Sequence, residues 1–186
     1  MNIFTKPKGK QFFNNQGKIF RSWTERDTNI KRHTEKKGNI IYGARSIQAQ
    51  IGNLNARPTK DFDIYSKQPK QDARQLAKKM NYNTNQYYIK PAQYKDTVKI
   101  MSVGKDNIPK TKDDYGIVDF TKRPKNLFVT KKNGIYYSTL LESWGDKQRS
   151  LRDPQYKFRH QKDLDDKKRI ERHWKMKSDK FMRNFL

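Results

Sequence analysis

Short apolar runs separated by polar, lysine-rich stretches make up this chain, and the period of each run sorts it into strand or helix. Asn39-Ile40-Ile41-Tyr42 is a compact apolar run that stops at Gly43, and residues 46–54 continue with helix-like spacing. Phe62 and Ile64 alternate with Asp61, Asp63 and Tyr65, which is the two-residue period of a half-buried strand. Ala73, Leu76, Ala77 and Met80 recur at helical spacing within 70–80 and should face a sheet, with Asn81 and Asn83 ending that helix. Further short strands are expected at 86–90, 97–103, 115–120 and 126–130, with a polar, proline-containing loop over 106–114. Lys132-Asn133-Gly134 is a turn signal. A helix is expected over 138–151, interrupted by Asp153-Pro154, and a last helix over 158–177 has few apolar residues: Leu164, Ile170 and Trp174. With no internal repeat, these elements give an α+β fold, a mixed sheet with helices.

Composition narrows this picture. A chain of 186 residues fits one compact domain plus extensions. Hydrophobic residues make up 32% and charged residues 33%, so the core must be small and drawn heavily from 10 Tyr, 10 Phe and 3 Trp. Lys+Arg number 43 against 19 Asp+Glu, a net charge of +24. Solubility needs a net charge of only about 2 to 8, so the excess implies a polyanionic partner. Nucleic acid is expected, RNA ahead of DNA. A membrane partner is not expected, because there is no long apolar run and no basic amphipathic helix stands out. Without cysteine, and with only His33, His160 and His173 scattered along the chain, neither a disulfide framework nor a structural zinc site is expected. The start, Met-Asn-Ile-Phe-Thr-Lys, lacks the apolar core of a signal peptide. The expected place of work is the cytoplasm, or the inside of a virion assembled there. Abundant Lys, Asn, Ile and Tyr suit an AT-rich genome.

Charge also divides the chain. Residues 1–38 read as a basic arm in which Lys6, Lys8, Lys10, Lys18, Arg21, Lys36 and Lys37 are interleaved with Phe4, Phe12, Phe13, Phe20 and Trp23. Cations between aromatics suit a nucleic-acid backbone with stacked bases. Phe20 and Trp23 equally suit a role in stapling the arm to the rest. The core spans 39–151, and a basic helical segment follows over 152–186. The charge run of that last segment suits a solvated helix as well as a nucleic-acid face.

The candidate chemistry lies in Arg57-Pro58-Thr59-Lys60-Asp61-Phe62-Asp63-Ile64-Tyr65. On a strand, Asp61 and Asp63 would point to one face while Phe62 and Ile64 enter a core. Two carboxylates so close repel unless a cation lies between them. Hard Mg2+ suits carboxylate oxygen and bridges readily to phosphates, so the segment reads as a metal-holding strand for phosphoryl or nucleotidyl transfer. Upstream, a strand, a turn at Gly43 and a helix would place backbone N–H groups where a phosphate binds. A solvated Asp-rich turn is the alternative for the acidic pair alone.

This arrangement resembles the nucleotidyltransferase superfamily with its polymerase-beta-like fold, and more specifically the minimal AbiE-type abortive-infection nucleotidyltransferases. The family pattern of a strand ending in Gly, a helix and then Arg-x-Ser/Thr-x-Asp-x-Asp is met by Gly43 and by Arg57, Thr59, Asp61 and Asp63. The resemblance covers roughly residues 39–170. It implies a third carboxylate on a later strand, for which Asp119 in Gly116-Ile117-Val118-Asp119-Phe120 is the candidate. It further implies a helical lysine, Lys147, and a Lys-Asp-rich segment matched by Arg159-His160-Gln161-Lys162-Asp163-Leu164-Asp165-Asp166. Ala44 stands where the family usually has Gly or Ser, and bulky Arg45 follows, either to bind phosphate or to crowd the site.

The implied activity is Mg2+-dependent transfer of a nucleotide from an NTP to a hydroxyl on RNA, such as a tRNA 3′ end, or on a protein. Asp61, Asp63 and Asp119 would hold two Mg2+ ions. Gly43, Ala44, Arg45, Ser46, Arg57, Thr59 and Lys147 would bind the nucleotide. An acidic antitoxin partner would be expected of a toxin. The competing expectation is an inactive, strongly basic component of a viral or phage particle, or of a ribonucleoprotein, built on the same fold.

Overall fold

The computed structural model describes residues 23–52, 57, 59–81 and 86–183. The expected arm cations Lys6, Lys8, Lys10, Lys18 and Arg21 lie outside these residues.

Seven strands form one mixed sheet in the order β3-β4-β5-β2-β1-β7-β6. The strands are β1 (Ile40–Tyr42), β2 (Phe62–Ser66), β3 (Tyr87–Pro91), β4 (Thr97–Ser102), β5 (Tyr115–Lys122), β6 (Val129–Lys132) and β7 (Ile135–Ser138). At the centre, β2 runs antiparallel to β1 and parallel to β5. Strand β1 in turn runs parallel to β7.

The two-residue alternation sorts the central strands into two faces. Ile41, Phe62, Ile64, Ile100, Val118 and Phe120 are fully buried on one of them. They pack with Ile30 of α1 (Trp23–Lys37) and with Ala73, Leu76, Ala77 and Met80 of α3 (Pro69–Met80). Burying each large side chain of this kind contributes about 1.5–3 kcal/mol. Helix α3 starts with Pro69 and carries Asp72 in its first turn and Lys78 and Lys79 in its last, so its ends match the helix dipole.

A second apolar cluster joins Ile47 and Ile51 of α2 (Gly43–Ile51) to Ile170 of α5 (His160–Arg183), with Leu140 and Trp144 of α4 (Leu140–Arg152) packed against it. Helix α4 begins with a capping arrangement, in which the Thr139 hydroxyl accepts the Glu142 N–H at 3.2 Å. Asp153 caps the short 3-10 helix Pro154–Arg159 that leads into α5.

Four expectations change. The basic stretch over 23–37 is helix α1, and Ile30 ties it to the core. Helix α2 begins at Gly43 itself, not at Ser46. The strand expected at 126–130 is Val129–Lys132, and the turn at Asn133-Gly134 leads into β7, where sequence spacing gave no strand. The last helix extends to Arg183, and Ile170 anchors it by full burial. Among the described residues no helix is long and apolar enough to cross a membrane.

Candidate active site

Strand register places four side chains in one row. Tyr42 of β1 is opposite Asp63 of β2, Asp63 is opposite Asp119 of β5, and Asp119 is opposite Lys99 of β4. Register partners share a face, and this face is the one turned away from Phe62 and Ile64. The chain then turns at Gly43 with φ +66°. A side chain there would be strained, and its Cβ would run into the Asp63 carboxylate. Glycine is therefore required twice over at the point where α2 begins beside Asp63. Tyr42 supplies no side-chain cap to α2, so the dipole end of that helix faces the acidic row.

The three carboxylates have different surroundings. Asp61 is not on the strand; it lies in the bend before β2, is exposed, and accepts the Thr59 hydroxyl at 2.5 Å. Desolvation would raise its pKa, but Thr59, Lys162 and Arg57 outweigh that and hold it below the ordinary range. Asp63 is half-buried at the head of the cleft, where burial, Asp61 and Asp119 push it up to about 7. Asp119 is also raised, chiefly by burial, although Lys99 Nζ lies 2.9 Å from it. Burial, with neighbouring carboxylates, holds Asp63 and Asp119 above the ordinary range, and hard carboxylate oxygens suit a divalent cation. Among the described residues, Asp61, Asp63 and Asp119 are nevertheless not a group of three whose oxygens all lie within 4.8 Å of one another. A second carboxylate cluster, Asp106, Asp113 and Asp114, lies in the β4–β5 loop. There Asp113 and Asp114 accept backbone N–H groups of residues 104–106, 110 and 111, which ties that loop together.

Opposite the carboxylates stands a cationic wall from α4, the 3-10 helix and α5, and the two sides enclose a cleft of about 560 Å3. Lys147, Arg149, Arg159 and Lys162 line it. Lys147 is buried and donates to Asp163 at 2.8 Å, with Asp166 at 3.7 Å. Arg159 pairs with Asp163 at 2.8 Å. Lys162 is lowered by burial and by Arg57 and Arg159. On the floor, the Tyr42 and Tyr65 rings stack at 3.8 Å, and the Tyr42 hydroxyl lies 2.9 Å from Thr121 Oγ1.

The expected site residues thus part company. Asp63, Asp119, Gly43, Ala44, Arg57 and Lys147 all line the cleft. Arg57 pairs with Asp166 at 3.4 Å, and its charge also helps to lower Asp61. Lys147 is held by carboxylates of α5 and acts on Asp63 through its field, which lowers it. Arg45 turns away from the cleft: it donates to Asp27 at 3.1 Å and to the Asp61 carbonyl at 3.3 Å, and lies 4.3 Å over the Phe62 ring. Ser46 is buried and donates to the Ser138 carbonyl at 2.5 Å, joining α2 to β7. Lys36 and Lys37 end α1 behind the sheet, where Lys37 lies 3.9 Å from Asp72 of α3. Sequence reasoning did not single out Lys99, Tyr42, Tyr65, Tyr94 or Tyr156. For Lys99 the strand alternation over 97–103 was a usable signal; the tyrosines enter through pairings distant in sequence.

No protein-family model and no curated protein matches the chain. Solved structures do. The Megavirus polyadenylate synthase superposes with TM-score 0.67 at 19% identity over 82% of this chain. JHP933 from Helicobacter pylori superposes with TM-score 0.54 at 14% identity, covering 84% of this chain and 66% of its own. The chain spans only 32% of the polyadenylate synthase. These likenesses show that the chain shares the α+β fold of these two proteins.

Proposed function

We propose that the protein is a nucleotidyltransferase that moves a nucleotide from an NTP to a hydroxyl on nucleic acid, with RNA as the favoured acceptor and a protein hydroxyl as the other. The carrying observation is the in-register pair Asp63 and Asp119, set beside the start of α2 and facing a wall of cations. The likeness to minimal AbiE-type enzymes rests on Arg57, Thr59, Asp61 and Asp63 and is part of this proposal.

Arg149, Arg159 and Lys162 on the wall, with the N-terminal N–H groups of α2, would bind the triphosphate. The acceptor oxygen attacks the α-phosphorus, the bond to the β-phosphate oxygen breaks, and pyrophosphate leaves. Asp119, next to Asp63, would take the proton of the attacking hydroxyl, and its raised pKa suits that role. Lys99 would keep the Asp119 carboxylate oriented. Mg2+ held by Asp61, Asp63 and Asp119 would neutralise the triphosphate and the leaving pyrophosphate.

A second reading has one specific observation behind it. Lys99 already neutralises Asp119 at 2.9 Å, as an internal counterion would in a particle or ribonucleoprotein component that no longer turns over. Incubation with Mg2+, each labelled NTP in turn and total RNA separates the two. Label transferred by the parent protein and not by Asp61→Asn/Asp63→Asn supports the enzyme. Absence of transfer with every NTP, alongside tight, salt-sensitive binding of nucleic acid, supports the second reading.

A further inference from the structure

Two tyrosines that the proposed chemistry does not use meet across the cleft. Tyr94 lies in the turn between β3 and β4, and Tyr156 lies in the 3-10 helix between α4 and α5. Both line the cleft that holds Asp63 and Asp119. Their ring centroids are 6.0 Å apart with the planes tilted by 35°. The contrast with Tyr42 and Tyr65 is direct: those rings are stacked at 3.8 Å and 10°, and satisfy each other. The tilted pair leaves ring surface open, and Tyr94 is 42% exposed.

The charges around these rings have one sign in excess. Lys95 follows Tyr94 and lines the cleft, as do Arg149 and Arg159. Arg159 is close enough to Tyr94 to interact with it electrostatically. Lys157, between Tyr156 and Phe158, is exposed. Asp146, Asp153 and Asp163 oppose them: Asp146 is paired with Arg149, Asp153 caps the 3-10 helix and Asp163 is paired with Arg159, which leaves Lys95 and Lys157 as the cations outside these pairs. Open aromatic faces alternating with cations match a polyanion that carries planar rings, and a strand with unpaired bases offers both. A duplex hides its base faces.

We propose that Tyr94 and Tyr156 form a stacking clamp for the bases of single-stranded nucleic acid, with Lys95 on its phosphates. That the clamped strand is the acceptor rests on the proposed nucleotidyl transfer; the clamp itself does not. The test measures binding without chemistry. A fluorescein-labelled 12-nucleotide RNA, the DNA of the same sequence and the corresponding duplex are titrated by anisotropy against the full chain, Tyr94→Ala, Tyr156→Ala and Tyr94→Phe. The alanine variants should weaken single-strand binding by roughly five- to a hundredfold, with duplex and NTP binding unchanged. Tyr94→Phe should bind within about twofold of the parent, since stacking needs the ring and not the hydroxyl. The RNA and DNA arms report which strand is preferred. Unchanged single-strand affinity in both alanine variants overturns the clamp. So does an equal loss for single strand and duplex, which marks the pair as packing only, or a loss confined to NTP. Because no transfer is measured, a chain that clamps strands but transfers nothing overturns the activity and leaves the clamp standing.

Discussion

At the scale of single residues, Gly43 and Asp63 form one device. Gly43 holds φ +66°, and the space a Cβ would need is taken by the Asp63 carboxylate. Gly43→Ala should cost about 1–3 kcal/mol of stability and abolish transfer, as read by urea denaturation and the labelled-NTP assay. Asp63 makes stability depend on pH in an unusual direction. Its pKa in the folded chain is about 7 against an ordinary value of 3.8, so the folded chain holds this proton more tightly than the unfolded one. The stability this confers is fully present below about pH 4 and is lost as pH rises through about 7. Asp63→Asn removes that loss. The variant should match the parent near pH 4 and be more stable near pH 8, by at most about 4 kcal/mol. Denaturation midpoints across this range check it, and a variant that is no more stable than the parent at pH 8 would contradict a carboxylate raised by burial and by its acidic neighbours.

At the scale of elements, the cleft exists because α5 is fastened down at two kinds of contact. Ile170 is fully buried against α2. Lys147 of α4 is buried between Asp163 and Asp166 of α5, with Arg57 and Arg169 also on Asp166. Removing one member of a buried charge group leaves its partners uncompensated, which is far costlier than the pair was worth. Lys147→Met should therefore lower the unfolding free energy by about 3 kcal/mol, and Ile170→Ala by about 2–5 kcal/mol. Urea denaturation followed by the fluorescence of Trp144, whose indole N–H donates to Glu171 of α5 at 2.9 Å, reports on this joint directly. A silent Lys147→Met would show that the α4–α5 joint rests on apolar contact alone.

At the scale of the whole molecule, +24 charges on 186 residues dominate behaviour at a distance. Binding to nucleic acid should be largely electrostatic and should release counterions. With about six phosphates neutralised, the affinity should fall roughly a thousandfold between about 50 and 200 mM salt. A plot of log affinity against log salt checks this, and a flat plot would remove the charge as the source of affinity. The acidic row sits inside this field, which would draw an NTP and a nucleic-acid strand toward the same opening.

Much of this was legible in the sequence because it is local. The Phe62/Ile64 alternation, the helical spacing of Ala73, Leu76, Ala77 and Met80, and the Asp-Pro break before α5 each act within a few residues, and each appears where its period put it. Gly43 is legible in the same way, because the turn it makes with φ +66° is a local property. Strand β7 was missed although Ile135, Tyr136 and Tyr137 are strand formers that follow the Asn133-Gly134 turn; what pairing with β1 and β6 adds is its place in the sheet. Lys36, Lys37 and Arg45 looked available for phosphate because charge is visible in a sequence and its counterion is not; Asp27 and Asp72 lie beside Arg45 and Lys37 only after folding. The sequence by itself determined most of the elements and the excess of positive charge, since periodicity, composition and short motifs are properties of neighbours along the chain. Tertiary structure alone decided that Asp119 stands beside Asp63, that Lys99 neutralises it, that Lys147 is held by α5 and that Tyr94 meets Tyr156. Register and helix docking set these contacts, and both depend on long-range packing that no local period encodes.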